Sequence, residues 1–177
     1  MEVGRFISHI DFTENVKRAL RMANVPMSYS QGFNKREKLS TGYPLPLGIE
    51  SLSEIIDVEL YRLPGDEELT TIAQNVNSSL PDSIRLLKVR RVDEKQTVMA
   101  ATKAVRYDVT FTDKQLLQRA VATVESLKFI EKKTKNGNVS FQLNEVLYSY
   151  EVIGERLSIV LFAGKESSMR ADEFVAS

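Results

Sequence analysis

Residues 56–92 read IDVELYRLPG DEELTTIAQN VNSSLPDSIR LLKVRRV. The first five positions alternate, with Ile56, Val58 and Leu60 on one face and Asp57 and Glu59 on the other, which describes a strand with one buried side. Pro64-Gly65 breaks that alternation. Asp66, Glu67 and Glu68 follow as the acidic first turn of a helix, where the macrodipole favours negative charge. Leu69, Ile72, Ala73 and Val76 recur at helical spacing as its inner stripe. Ile84 to Val92 reads as a second strand, made unusually basic by Arg85, Lys88, Arg90 and Arg91.

Upstream, Val3 to Ser8 reads as a short strand, and Asp11-Phe12-Thr13-Glu14 as a capping box that starts a helix. Phe12, Val16, Ala19, Leu20 and Ala23 form that helix's apolar face, and Asn24 and Pro26 end it. Residues 25–53 lack a sustained period and are punctuated by Gly32, Gly42, Pro44, Pro46 and Gly48, with a short strand near Lys38 to Thr41. The order strand, helix, loop, strand, helix, strand predicts an α+β fold whose residues 1–92 form a ferredoxin-like, split βαβ unit.

Residues 93–103 read as a linker. In residues 104–177 the order partly repeats, so a second, similar half that again begins βα is expected. Val105, Tyr107, Val109 and Phe111 alternate as a strand, and Thr112-x-x-Gln115 caps a helix whose inner face is Leu116, Leu117, Ala120, Val121, Val124 and Leu127. Asn136-Gly137 between Lys128–Thr134 and Val139–Leu143 is a strong hairpin signal. Leu157 to Phe162 reads as a strand and Met169 to Val175 as a closing helix.

The chain has no cysteine, which excludes disulfides, thiolate metal sites, iron–sulfur ligation and thiol nucleophiles. A single histidine excludes a paired-histidine metal site, and no metal site is expected. No apolar run approaches a membrane span and the first residues lack a signal-peptide pattern, so the expectation is a cytoplasmic protein without membrane contact. Basic and acidic residues balance at 24 each. They are unevenly spread: residues 1–48 hold seven basic against four acidic side chains, and residues 83–106 seven against two. Lys17, Arg18, Arg21, Lys35, Arg36 and Lys38, with Arg85, Lys88, Arg90 and Arg91, make the candidate basic surface.

Two clusters hold the residues that could do chemistry. Ser8-His9-Ile10-Asp11 lies at the opening junction. Tyr29-Ser30-Gln31-Gly32-Phe33-Asn34 lies in the irregular stretch, followed by Leu45-Pro46-Leu47-Gly48-Ile49-Glu50-Ser51. His9, with Asp11 or Glu50 to orient it, is the candidate acid or base. Each residue also has a plainer use: Asp11 as a helix cap, His9 as a structural hydrogen-bonder, and the glycines, prolines and small polar residues as turn formers. Ser30 lacks a nucleophile elbow, and no glycine-rich phosphate loop occurs.

The run Arg5-Phe6-Ile7-Ser8-His9-Ile10-Asp11, then Arg18-Ala19-Leu20-Arg21, Pro26, Tyr29 to Asn34, and Leu45 to Ser51 with Glu54, resembles the radical SAM-linked domain of unknown function, found in bacteria fused to or encoded beside a radical SAM protein. Arg170-Ala171-Asp172-Glu173 resembles its late helix start. Lys35-Arg36 stands where that family usually has Pro-His, and Ser140-Phe141-Gln142 where it has Asp-x-Arg. The resemblance implies a radical SAM partner that carries the iron–sulfur cluster and S-adenosylmethionine, with no cofactor in this chain. The expected function is a non-catalytic accessory or substrate-binding protein, with RNA as a candidate substrate and Ser8, Tyr29 to Asn34, Glu50 and Ser51 as binding residues. The alternatives are a stand-alone enzyme built on His9 and a structural interaction module.

Overall fold

The computed structural model describes residues 4–92, 97–135, 137–164 and 166–176. It is a mixed α+β protein with several small antiparallel sheets, and it divides into two compact units, Met1–Ala101 and Thr102–Ser177.

In the first unit, helix α1 (His9–Met22) packs against helix α2 (Asp66–Ser79). Ala19 and Ala23 meet Ile72 and Val76 in the buried seam, with Leu20, Val25, Leu80 and Leu86 packed around it. These are largely the stripes expected from the sequence. Small alanines on α1 let the helices approach closely, and the branched residues of α2 fill the contact. Asn24, in the left-handed region at φ 53°, ends α1 as expected of an asparagine followed by Pro26.

Strand β1 (Leu39–Thr41) pairs antiparallel with β2 (Ile56–Val58) in the register Leu39↔Val58, Ser40↔Asp57, Thr41↔Ile56. Isolated bridges extend this ribbon, Met27 to Leu60 and Tyr29 to Glu37. The four-stranded sheet of a ferredoxin-like unit does not form among the described residues of this unit. Of the expected opening strand, Val3 lies outside the described residues and Gly4–Phe6 is a single 3-10 turn; among the described residues no strand offers it a ladder, and Ser8 starts the helix at once.

Residues 84–92 form no strand either. They are held by side chains: Asn77 Oδ1 accepts the Leu86 amide at 2.8 Å and its Nδ2 donates to the Leu86 carbonyl at 3.0 Å. Arg91 donates to the Pro64 carbonyl and to Asp66 Oδ1.

Of the expected linker, residues 93–96 lie outside the described residues. Val98–Ala101 is a short helix, α3, beside β1, with the Val98 amide donating to Asp57 Oδ2 at 2.8 Å. A Cβ on Gly42 of the ribbon would come within 3.1 Å of Val98 Cγ1, which accounts for a glycine there.

The second unit is built on a three-stranded antiparallel sheet in the order β3 (Ala104–Thr110), β7 (Arg156–Phe162), β6 (Leu147–Ile153). Helix α4 (Lys114–Ser126) packs on β7, and Leu117, Val124, Leu157, Ile159 and Leu161 are buried. Its cap is Asp113, whose carboxylate accepts the Gln115 amide at 2.8 Å, rather than the expected Thr112.

Strands β4 (Phe129–Thr134) and β5 (Gly137–Gln142) form the expected hairpin, closing at Thr134↔Gly137 with Gly137 at φ 119°. Asn136 of the turn signal lies outside the described residues. A one-turn helix, α5 (Leu143–Val146), leads into β6, and α6 (Ala171–Ala176) stands where a closing helix was expected. Among the described residues no helix is long and apolar enough to cross a membrane.

Candidate functional site

Ser8 turns the chain into α1. Its Oγ accepts the Asp11 amide at 3.1 Å and donates to Asp11 Oδ2 at 2.7 Å. The cap is therefore Ser8, not Asp11. Both Ser8-x-x-Asp11 and Asp11-x-x-Glu14 fit a capping pattern, and the earlier start adds three residues to the helix. Asp11 takes the reciprocal acidic place in the first turn, and Glu14 pairs with Lys17 at 2.7 Å, which holds the Glu14 carboxyl below its ordinary range.

His9 is the first residue of α1 and is half-buried. Its Nε2 lies 3.4 Å from Thr41 Oγ1 at the end of β1. Its Nδ1 is buried without a hydrogen-bond partner among the described residues, and so is Arg5 Nε. The Arg5 carbonyl accepts the Gly48 amide at 2.6 Å, with Gly48 in the left-handed region at φ 89°. The opening junction, the end of β1 and the Leu45–Ser51 loop are thus tied together.

Glu50 is exposed, while Ser51 is half-buried and its Oγ accepts the Ser53 amide. No carboxylate of the described residues comes within 4.0 Å of His9. Neither Asp11 nor Glu50 orients the imidazole, and an acid–base pair is not assembled.

The segment Tyr29–Asn34 is the tip of a tight hairpin. The Ser30 amide donates to the Arg36 carbonyl at 2.8 Å, and the Arg36 amide returns to Ser30 Oγ at 3.0 Å. Gly32, at φ 121°, makes the turn, and Phe33 stands fully exposed. Gln31 and Asn34 are exposed too.

The neck of this hairpin is held at the other end of α1, where Arg21 Nη1 pairs with Glu37 Oε1 at 2.6 Å. At 1.5 Å of rise per residue, the first and last turns of α1 are about 18 Å apart. The structure therefore brings Ser8 and His9 to Thr41 and the Gly48 loop, and anchors the Tyr29–Asn34 tip elsewhere. One hollow shared by both clusters is not formed by these contacts.

The candidate basic residues divide by pairing. Lys17, Arg21, Lys38 and Arg91 are engaged with Glu14, Glu37, Glu59 and Asp66. Arg18, Lys35, Arg36, Arg85, Lys88 and Arg90 are exposed and make no ion pair among the described residues. No group of three or more potential metal ligands occurs among the described residues.

A family model described as an uncharacterized protein conserved in bacteria, DUF2344, matches residues 2–171. The chain belongs to this family. No curated protein and no solved structure matches it.

One feature of this DUF2344 chain went unmarked in the sequence. A hollow of about 590 Å³ in the second unit is lined by Lys128, Gln142, Asn144, Tyr148 and Tyr150, among others. Tyr150 donates to Glu125 Oε1 at 3.2 Å, and burial first, with the nearby Glu125 charge second, raises its phenol above the ordinary range. Tyr148 and Tyr150 at strand spacing were the available signal, and Asn144-Glu145 before them marks the break from the preceding strand.

Proposed function

We propose that the chain is a non-catalytic accessory protein that docks on a radical SAM protein and holds its substrate, with RNA as the substrate class. The observation that carries this reading is the segment Leu87–Val92. Apolar Leu87, Val89 and Val92 are interspersed with Lys88, Arg90 and Arg91, and all six residues are exposed. None of their backbone groups has a partner among the described residues.

A strand-forming sequence that finds no ladder within its own unit is a ready acceptor for strand addition, in which main-chain bonds supply affinity and alternate side chains supply specificity. Phe6, Ile10, Leu47 and Leu52 offer further exposed apolar surface in the same unit. The unpaired Arg18, Lys35, Arg36, Arg85, Lys88 and Arg90, together with Phe33, give the charge and the aromatic ring that single-stranded RNA engages.

The cluster and S-adenosylmethionine of a radical SAM protein do not fit this chain, which has no thiolate to offer. They belong to the partner in this reading. A stand-alone enzyme draws support only from the unpartnered Nδ1 of His9, and it lacks a described carboxylate to work with.

Purification of the tagged chain from its native cell, with bound protein and RNA identified, tests the proposal. Recovery of a radical SAM protein, with the amides of residues 87–92 slowed in hydrogen exchange within the complex, is the expected result. A chain that purifies with neither protein nor RNA overturns it.

A further inference from the structure

We propose that the second unit carries a nucleotide-binding hollow of its own, in which the Tyr148 ring stacks a nucleobase and the Lys128 ammonium meets the phosphate. This inference does not depend on a radical SAM partner or on the first unit.

The hollow of about 590 Å³ is shallow and wide open to solvent, and four of its lining residues, Leu147, Tyr148, Ser149 and Tyr150, belong to β6. Strand β6 is an edge strand whose ladder to β7 shifts register between Leu147 and Ser149. Such an irregularity re-aims the residue it contains, here Tyr148. Tyr148 is 66% exposed, yet its ring is not loose: the Phe162 ring meets it edge-on, at right angles with centroids 5.4 Å apart. An exposed ring braced by a neighbouring ring is a preorganised platform, and stacking on it discriminates little between bases because every base has a π-face.

Tyr150 forms a second wall and is fixed by its bond to Glu125. Lys128 is exposed and makes no ion pair among the described residues, so its charge is available to an anion. The exposed Asn144 amide supplies a donor and an acceptor for a base edge. Glu125 accepts from Tyr150 and Glu145 accepts the Gln142 amide at 2.8 Å; both keep their negative charge but neither lines the hollow, whereas Lys128 does. Aromatic platform, free cation and free amide together suit a base joined to a phosphate better than they suit an apolar peptide, which would leave Lys128 and Asn144 unsatisfied.

The test uses the full chain with fluorescein-labelled decauridylate, read by anisotropy, and adenosine monophosphate as competitor. Wild type and the variant Arg85→Gln/Lys88→Gln/Arg90→Gln are compared, each with and without Tyr148→Ala. In the Arg85→Gln/Lys88→Gln/Arg90→Gln background, where the first unit contributes least, Tyr148→Ala is expected to weaken binding about tenfold, the size of one lost stacking contact, while Tyr148→Phe restores it. Lys128→Gln is expected to flatten the salt dependence by about 0.7 of a logarithmic unit, one phosphate contact on a single strand.

Competition by the mononucleotide assigns the hollow to a free nucleotide, and its failure to compete assigns it to a strand; either supports the site. Absence of decauridylate binding in wild type, or unchanged affinity on Tyr148→Ala in that background with native circular dichroism, overturns it. Loss of the radical SAM partner in the earlier experiment leaves this result untouched, so the two readings fail separately.

Discussion

Asn77 does for Leu86 what a neighbouring strand would do, accepting its amide and donating to its carbonyl. Replacing it with alanine leaves both groups short of a partner in a partly buried place. Asn77→Ala is therefore expected to lower unfolding free energy by about 1–3 kcal/mol in urea titration. Asn77→Asp keeps the acceptor for the Leu86 amide but sets a carboxylate oxygen against the Leu86 carbonyl in a partly buried place, so its loss should be at least as large. Ser8→Ala removes the cap of α1 and is expected to cost about 1 kcal/mol in the same assay. A result within error of wild type would show that the Asp11 carboxylate can replace the Ser8 hydroxyl. Ser8 was legible as part of a polar junction but lost the cap role to Asp11, because two overlapping patterns fit equally well. Asn77 was not legible at all: an asparagine in the last turn of a helix reads as neutral surface until the segment it clamps is in place.

At the scale of elements, α1, α2, α4 and the β4–β5 hairpin were readable because each carries its own period and its own start or stop residue. What failed were the elements whose state depends on a distant neighbour. Residues 84–92 have the composition of a strand, but a strand exists only when another pairs with it, and the α2 side chains Asn77 and Asp66 hold the segment instead. Strand β6 is the reverse case, since β7 pairs with a stretch that offered no alternation of burial: six of its seven residues are exposed. One side of this sheet is fastened by charge. Asp108 on β3 accepts from Arg106 Nε at 3.0 Å and lies 3.5 Å from Arg156 Nη1 on β7. The Ser158 hydroxyl first, and Arg106 second, hold the Asp108 carboxyl below its ordinary value of 3.8. A depressed folded-state value means stability that is present above the unfolded value and lost as pH falls through the folded one. Asp108→Asn should thus be less stable than wild type near neutral pH, and the gap should close below the ordinary carboxylate range. Urea midpoints taken along a pH series check this, and a gap that persists in acid would assign the loss to packing rather than to charge.

The whole molecule is electrically balanced, with 24 cations against 24 anions, so long-range attraction cannot draw it onto RNA. Any affinity for a polyanion has to come from where cations are left unpaired. In the first unit four of the ten candidate basic residues are already spent on carboxylates, and six are not. Counterion release counts only cations that meet phosphate, and each contact on a single strand contributes about 0.7 to the slope of log affinity against log salt. If the unpaired cations carry the binding, Arg85→Gln/Lys88→Gln/Arg90→Gln should reduce that slope by about 2. The matched change at paired positions, Lys17→Gln/Arg21→Gln/Lys38→Gln, should reduce it far less, because those charges already face acids. Affinity for a single-stranded RNA measured across a salt series with both variants decides the matter. Equal slopes for the two would mean that the ion pairs open on binding, and that the sequence-level count of basic residues, rather than their pairing in the fold, sets the interaction.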